Sequence, residues 1–165
     1  MIIAILSDIH DHRARLRQAL ALAAGCDMMI CCGDLCSPFI MHDLGNGFSN
    51  PIHIVFGNND GDQYRLTTAA AAYPHIVLHG EVAQLEVERL KIAVTHFDSI
   101  AAMLSTSPAY DVICFGHNHR YQVEQKENTL LINPGEIMGE LTGEASLVCF
   151  DTASRQVEKM VIGDG

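Results

Sequence analysis

The chain has 165 residues, 48% of them apolar and 18% charged, with 10 Lys and Arg against 20 Asp and Glu for a formal charge of −10. That length predicts a single domain over residues 1–165, able to bury a core without staples. The acid excess excludes non-specific nucleic-acid binding, which needs Lys and Arg to neutralise phosphates. No apolar stretch reaches the roughly 20 residues of a bilayer span, since even Ala19 to Cys32 is broken by Asp27.

The first predicted element is a strand over Ile2 to Leu6, which runs directly into Asp8-Ile9-His10. It lacks the basic start and long apolar core of a secretory signal, so a cytoplasmic protein is expected. Leu16, Ala19, Leu20 and Ala23 then recur at helical spacing up to Gly25. Asp11 is expected to cap this helix, with His12 solvated in its first turn. Asp27 to Cys32 reads as a second buried strand ending in Gly33-Asp34. Cys36 to Asn50, with Gly45-Asn46-Gly47 inside it, reads as a long loop, either a flap beside the site or inert. Pro51 to Phe56 is a third strand ending in Gly57-Asn58-Asn59-Asp60, and Asp62 to Tyr73 is a helix stopped by Pro74.

Beyond Pro74 the pattern shortens. Ile76 to Leu78, Val82 to Val87 and Leu90 to Thr95 are strand-like runs between polar turns, which suggests an antiparallel portion, and the last of them ends at His96. Ser99 to Leu104 is a short helix, and Val112 to Phe115 a buried strand ending in Gly116-His117-Asn118-His119. Tyr121 to Gln125, Leu130 to Ile132, Ala145 to Phe150 and Gln156 to Val161 close the series as strands. This order predicts an α/β fold of two packed sheets with helices outside.

Six cysteines are present, but without export signals they do not imply disulfides. Cys26, Cys31, Cys32, Cys114 and Cys149 sit in or beside apolar runs as small hydrophobes. Cys36, two residues past Asp34, is the exception, and a neutral loop thiol is the expected state.

Five strand-like segments thus end in oxygen or nitrogen donors. Singly, Asp-x-His reads as a helix cap, and Gly33-Asp34 and Gly57-Asn58-Asn59-Asp60 read as turns. Two imidazoles flanking Asn118 have no packing advantage at a polar strand end. Together the candidates are Asp8, His10, Asp34, Asn58, His96, His117 and His119. Carboxylate, amide oxygen and imidazole suit divalent Mn, Fe, Zn or Ni. One tetrahedral ion takes about four ligands, so seven fit two ions sharing a carboxylate, the arrangement that serves in-line phosphoryl displacement.

The series D-x-H, G-D, G-N-x-D, H, G-H-x-H resembles the calcineurin-like metallophosphoesterases. The match runs from Asp8 to His119, and Asn133-Pro134-Gly135 is similar to the small prokaryotic phosphodiesterase branch. The resemblance implies a four-layer α-β-β-α sandwich with metals at one rim. It implies Asp8, His10 and His119 on one ion and Asn58, His96 and His117 on the other, with Asp34 bridging and manganese the first choice of metal. The expected activity is hydrolysis of a small phosphodiester by a hydroxide bridging the ions. A phosphomonoesterase or nucleotide pyrophosphohydrolase, or a non-catalytic scaffold of the same fold, are the alternatives, and homo-oligomers are common among small relatives.

The chain departs from that pattern twice. Asn59 stands where many members carry the His that serves the leaving group. Asn59 is therefore the candidate catalytic position, and Asn58 and Asn59 are the candidate substrate contacts. An amide donates a hydrogen bond but supplies no proton near neutral pH. Phe97 stands where Gly usually follows the metal-binding His, a ring that either narrows the pocket, stacks on a base or aryl group, or simply packs inward.

Overall fold

The structure, a computed structural model, describes residues 1–163. Strands β1 (Ile2–Leu6), β2 (Met28–Cys31), β3 (Ile52–Ile54) and β4 (Ile76–Leu78) lie parallel, in that order; on the other side of β1, β10 (Ala145–Asp151) pairs antiparallel with it and β11 (Val157–Ile162) antiparallel with β10. The second sheet runs β5 (Val82–Val87), β6 (Leu90–Thr95), β7 (Val112–Cys114), β9 (Thr129–Asn133), β8 (Gln122–Lys126).

Three apolar layers separate four layers of structure. Ala4 and Leu6 of β1 pack outward against α1 (Arg13–Leu22), α2 (Pro38–Gly47) and α3 (Gln63–Ala70), through Leu16, Leu20, Ile40, Leu44 and Leu66. Ile3 and Ile5 of the same strand face the second sheet, where Ile92, Val94, Val112 and Ile132 meet them. Burial on both faces is why β1 is a continuous apolar run instead of an alternating one. Beyond the second sheet, α4 (Asp98–Leu104) covers Ala93, Ile113 and Leu131 with Ala101 and Leu104. The α-β-β-α sandwich expected from the motifs is the observed fold.

Three local expectations change. Residues 36–50 are not a loop: α2 fills most of the segment, and Pro38 at its first position is a helix-start signal, because Pro lacks only an N–H that would be unbonded there. Gly45 lies inside that helix because an added Cβ would stand 2.3 Å from the Tyr73 ring. Second, His12 caps α1, its Nδ1 accepting from Arg15 N at 3.4 Å, while Asp11 (φ 58°) turns away and accepts from Ser37 N at 3.1 Å. Third, of the three runs expected to be antiparallel, Val82–Val87 and Leu90–Thr95 form the antiparallel β5–β6 hairpin, whereas Ile76–Leu78 is β4 of the first sheet and pairs in parallel with β3; β8–β9 is a second hairpin, and β6, β7 and β9 at the centre of the second sheet are parallel. The α4 crossover between β6 and β7 makes that possible.

The carboxyl ends of β1, β2, β3, β6 and β7 therefore open on one rim, where parallel α/β sheets place ligands. No helix among the described residues is long and apolar enough to cross a membrane.

Candidate metal centre

Five of the seven candidate donors, Asp8, His10, Asp34, His117 and His119, leave their strands on backbone that side chains rarely adopt. Seven of the ten positive-φ non-Gly residues described lie here: Asp8, His10, Asp11, Asp34, Cys36, His117 and His119. Such conformations cost about 1–3 kcal/mol each and persist where surrounding structure over-determines them. Here the loops zip together: Asp8 N donates to Gly33 O at 3.1 Å, and Ile9 N and His10 N both donate to Asp34 O at 3.0 Å. Gly116 N donates to His96 O at 3.0 Å, tying the second sheet's rim together. Gly116 is required by crowding, since a Cβ there would meet Ser7 Oγ at 1.9 Å and Asp8 Oδ2 at 2.7 Å.

The seven donors converge. His10 Nε2 and His119 Nε2 stand 3.7 and 3.5 Å from Asp8 Oδ1. His96 Nε2 lies 3.1 Å from Asn58 Oδ1 and 3.3 Å from His117 Nδ1. Asp34 Oδ2 is 3.4 Å from His10 Nε2 and 3.4 Å from His96 Nε2. Ligand bonds of ~2.0–2.2 Å at ~90–110° separate donor atoms by about 2.8–3.6 Å, so the spacings lie in or within a tenth of an ångström of the range for divalent coordination. Asp8 Oδ1 and His10 Nε2 are also buried without a hydrogen-bond partner, an arrangement that costs free energy unless something else satisfies them. The donor set fits the group that the chemistry implies.

His96 is fixed in the tautomer an ion needs. Its Nδ1–H donates to the Cys32 carbonyl at 2.7 Å, and a carbonyl can only accept, so the lone pair at Nε2 faces Asp34, Asn58 and His117. Phe97 is half-buried against the rings of His96 and His117, with centroids 5.3 Å from each, and so packs on two candidate ligands. Cys36 Sγ is 3.6 Å from His10 Nδ1, and burial pushes its thiol up to about 12, with Asp11 adding to the shift. It is a neutral thiol, as expected.

Asn59 is engaged. Its backbone N donates to Asp34 Oδ1 at 2.8 Å and its Nδ2 donates to Asp34 Oδ2 at 2.7 Å. Asn58, His117 and Arg120 are exposed, whereas Asp8, Asp34 and His96 are buried.

Two residues outside the candidate set organise it. Buried Asp60 accepts four backbone N–H groups, from Gly57 (2.7 Å) and Asp34 (3.0 Å) on Oδ2 and from Leu35 (2.8 Å) and Cys36 (2.9 Å) on Oδ1. Burial raises its carboxyl above the usual range against the pull of these donors. Glu136, also buried, accepts from His119 Nδ1 at 2.7 Å. Its signal in the sequence was another strand end, Asn133 of β9 followed by Pro134-Gly135.

The carboxylates draw protons onto the imidazoles. Burial would raise Asp34, but the His96 ring and both Asn59 donors hold it at about 2. His10 is raised by its contact with Asp8 against the opposing effect of burial; burial would lower His96, but Asp34, Asp8 and the Cys32 carbonyl together raise it. In metal-free protein, the stability from protonated His10 and His96 is complete below about 6.5 and is lost as pH rises through their raised folded-state values. An ion needs the same nitrogens unprotonated, so its affinity rises over that window. The gain in thermal midpoint on reloading chelated protein is expected to be larger at about pH 8 than at about pH 6. An equal or smaller gain at the higher pH would contradict this electrostatic account.

A four-layer α-β-β-α sandwich with clustered N/O donors at one rim defines an α/β protein with a candidate metal centre. The family model of the calcineurin-like phosphoesterase superfamily domain matches residues 1–155, and the chain belongs to that superfamily. It is 32% identical to the phosphodiesterase MJ0936 of Methanocaldococcus jannaschii over 98% of this chain and 99% of that one. A solved structure of an archaeal phosphodiesterase superposes with a TM-score of 0.91 at 31% identity, covering 98% of this chain and 99% of that chain. A single mutant of Vps29 from Entamoeba histolytica shares the fold, with a TM-score of 0.67 at 16% identity over 99% of this chain and all of that chain.

Proposed function

We propose that the chain hydrolyses a small phosphodiester with the help of two divalent ions, manganese first among the ions this mixed ligand set accepts. The observation that carries the reading is Asp34, whose Oδ2 faces His10 Nε2 and His96 Nε2 at 3.4 Å each and so adjoins both donor groups. Asp8, His10 and His119 would hold one ion and Asn58, His96 and His117 the other, with Asp34 shared. When bound, the ions supply positive charge for the phosphoryl oxygens and lower the pKa of water toward about 7. The phosphodiesterase description of MJ0936, similar along its whole length, supports the same activity.

The protein's own contribution is preorganisation. Buried Asp8 and Asp34 close the floor of the site, while exposed Asn58 and His117 leave the other side open to an anion. Asn59 orients Asp34 through two hydrogen bonds and has no proton to give a leaving alkoxide. A missing general acid costs roughly 10²–10⁴ in rate where the leaving group is poor. Diesters with a stable leaving group escape that penalty.

The test compares an activated aryl phosphodiester with its monoester, using chelated protein reloaded with manganese. Diester turnover about tenfold or more above the monoester is expected. Monoester preference would overturn the diesterase reading and require an acid this site does not display. Turnover of neither ester with any of the candidate ions would favour a non-catalytic scaffold.

A further inference from the structure

We infer that Glu136 is a positioning residue that sets the ring tautomer of His119 and so decides the affinity of one of the two ion sites. This deepens the proposed function and rests on that reading of the site. Glu136 is fully buried at the exit of β9, on the same rim as the candidate ligands but outside the motifs that carry them. Its backbone is pinned, with Ser146 N donating to Glu136 O at 2.9 Å. The following residues are tied to the exit of β1, where Ile137 N donates to Ser7 O at 3.0 Å and Met138 N to Asp8 O at 3.1 Å.

The hydrogen bonds of the carboxylate leave one arrangement of protons. Oε1 accepts from Leu141 N at 3.0 Å, Thr142 N at 2.7 Å and Thr142 Oγ1 at 2.8 Å. Oε2 accepts from His119 Nδ1 at 2.7 Å. An acceptor-only group opposite Nδ1 requires the proton there and leaves the Nε2 lone pair toward Asp8 Oδ1, 3.5 Å away. His119 is also stacked on His10, with centroids 5.2 Å apart, so its ring plane is fixed as well. A histidine ligand whose second nitrogen donates to a carboxylate is both oriented and made more basic. The partner of His96 is only a neutral carbonyl, that of Cys32, so the two ion sites differ in this respect.

Glu136→Gln discriminates. Its amide has one oxygen and one NH2, and the backbone N–H groups of Leu141 and Thr142, which can only donate, claim the oxygen. The NH2 then faces His119 Nδ1, which must become the acceptor, and the proton moves to Nε2, where it obstructs an ion. The expected result has two parts. Long-range nitrogen–proton NMR of chelated protein at alkaline pH shows His119 as the Nδ1–H tautomer in the parent and as Nε2–H in Glu136→Gln. Calorimetric titration with manganese shows two ions bound by the parent, and in the variant one of them weakened about 10–100-fold with the other unchanged.

An Nε2–H tautomer in the parent overturns the inference, and so does a variant that binds both ions as tightly as the parent. The parent tautomer alone decides the matter if the variant does not fold. A parent that binds no ion defeats the proposed function instead, while the NMR comparison still decides what Glu136 does to the ring.

Discussion

Asp34→Asn is expected to lower phosphodiester turnover about a thousandfold in protein reloaded with manganese. The aspartate gives Oδ1 to Asn59 N, while Oδ2 accepts from Asn59 Nδ2 and faces the two imidazole nitrogens. An asparagine has one acceptor oxygen for these four demands. Wherever its NH2 points, it confronts either the Asn59 donors or the side where cations bind. The substitution also removes the negative charge next to both donor groups. The carboxyl is held at about 2 against an ordinary 3.8, so its stabilising contacts are complete above the ordinary value and are lost as pH falls through the folded one. At neutral pH the parent therefore has the full effect. Initial rates of diester hydrolysis provide the check, and activity within a few-fold of the parent would refute a shared ligand at position 34.

The second large effect is expected at Asp60, in stability. Asp60→Ala removes the acceptor of four backbone N–H groups that shape the loops on either side of Asp34. A buried donor left unsatisfied costs about 1–3 kcal/mol, and water entering the vacated space recovers part of the total. A loss of about 3–5 kcal/mol is the net expectation. Asp60→Asn should fare little better, because its NH2 would face two of the four donors. Urea unfolding of chelated protein measures this without interference from ion binding. A loss below about 1 kcal/mol for Asp60→Ala would show that the loops hold their shape without the carboxylate.

These two residues also mark how far the sequence can be read. Asp34 was legible because parallel strands must end at one rim, and donors recurring at strand ends announce a shared site. Asp60 stood in the same motif, yet its task depends on N–H groups of residues 34–36, which no local pattern brings near it. Residues 36–50 were misread because Gly45-Asn46-Gly47 looks like a loop, whereas Gly45 accommodates Tyr73, nearly thirty residues later in the chain. Asp11 and His12 exchanged roles because the left-handed backbone at Asp11 sends its carboxylate toward Ser37. The two hydrogen bonds from Asn59 to Asp34 were not legible either, because they join residues twenty-five positions apart. The parallel centre of the second sheet was hidden for a related reason, since short buried strands carry no mark of the direction of their neighbours.

The most direct test of the two-ion reading is a titration of diesterase activity in chelated protein against manganese equivalents, under conditions where added ion is fully bound. Activity is predicted to stay low through the first equivalent and to reach its plateau at two per chain. A plateau at one equivalent, or activity that persists without any ion, would contradict it.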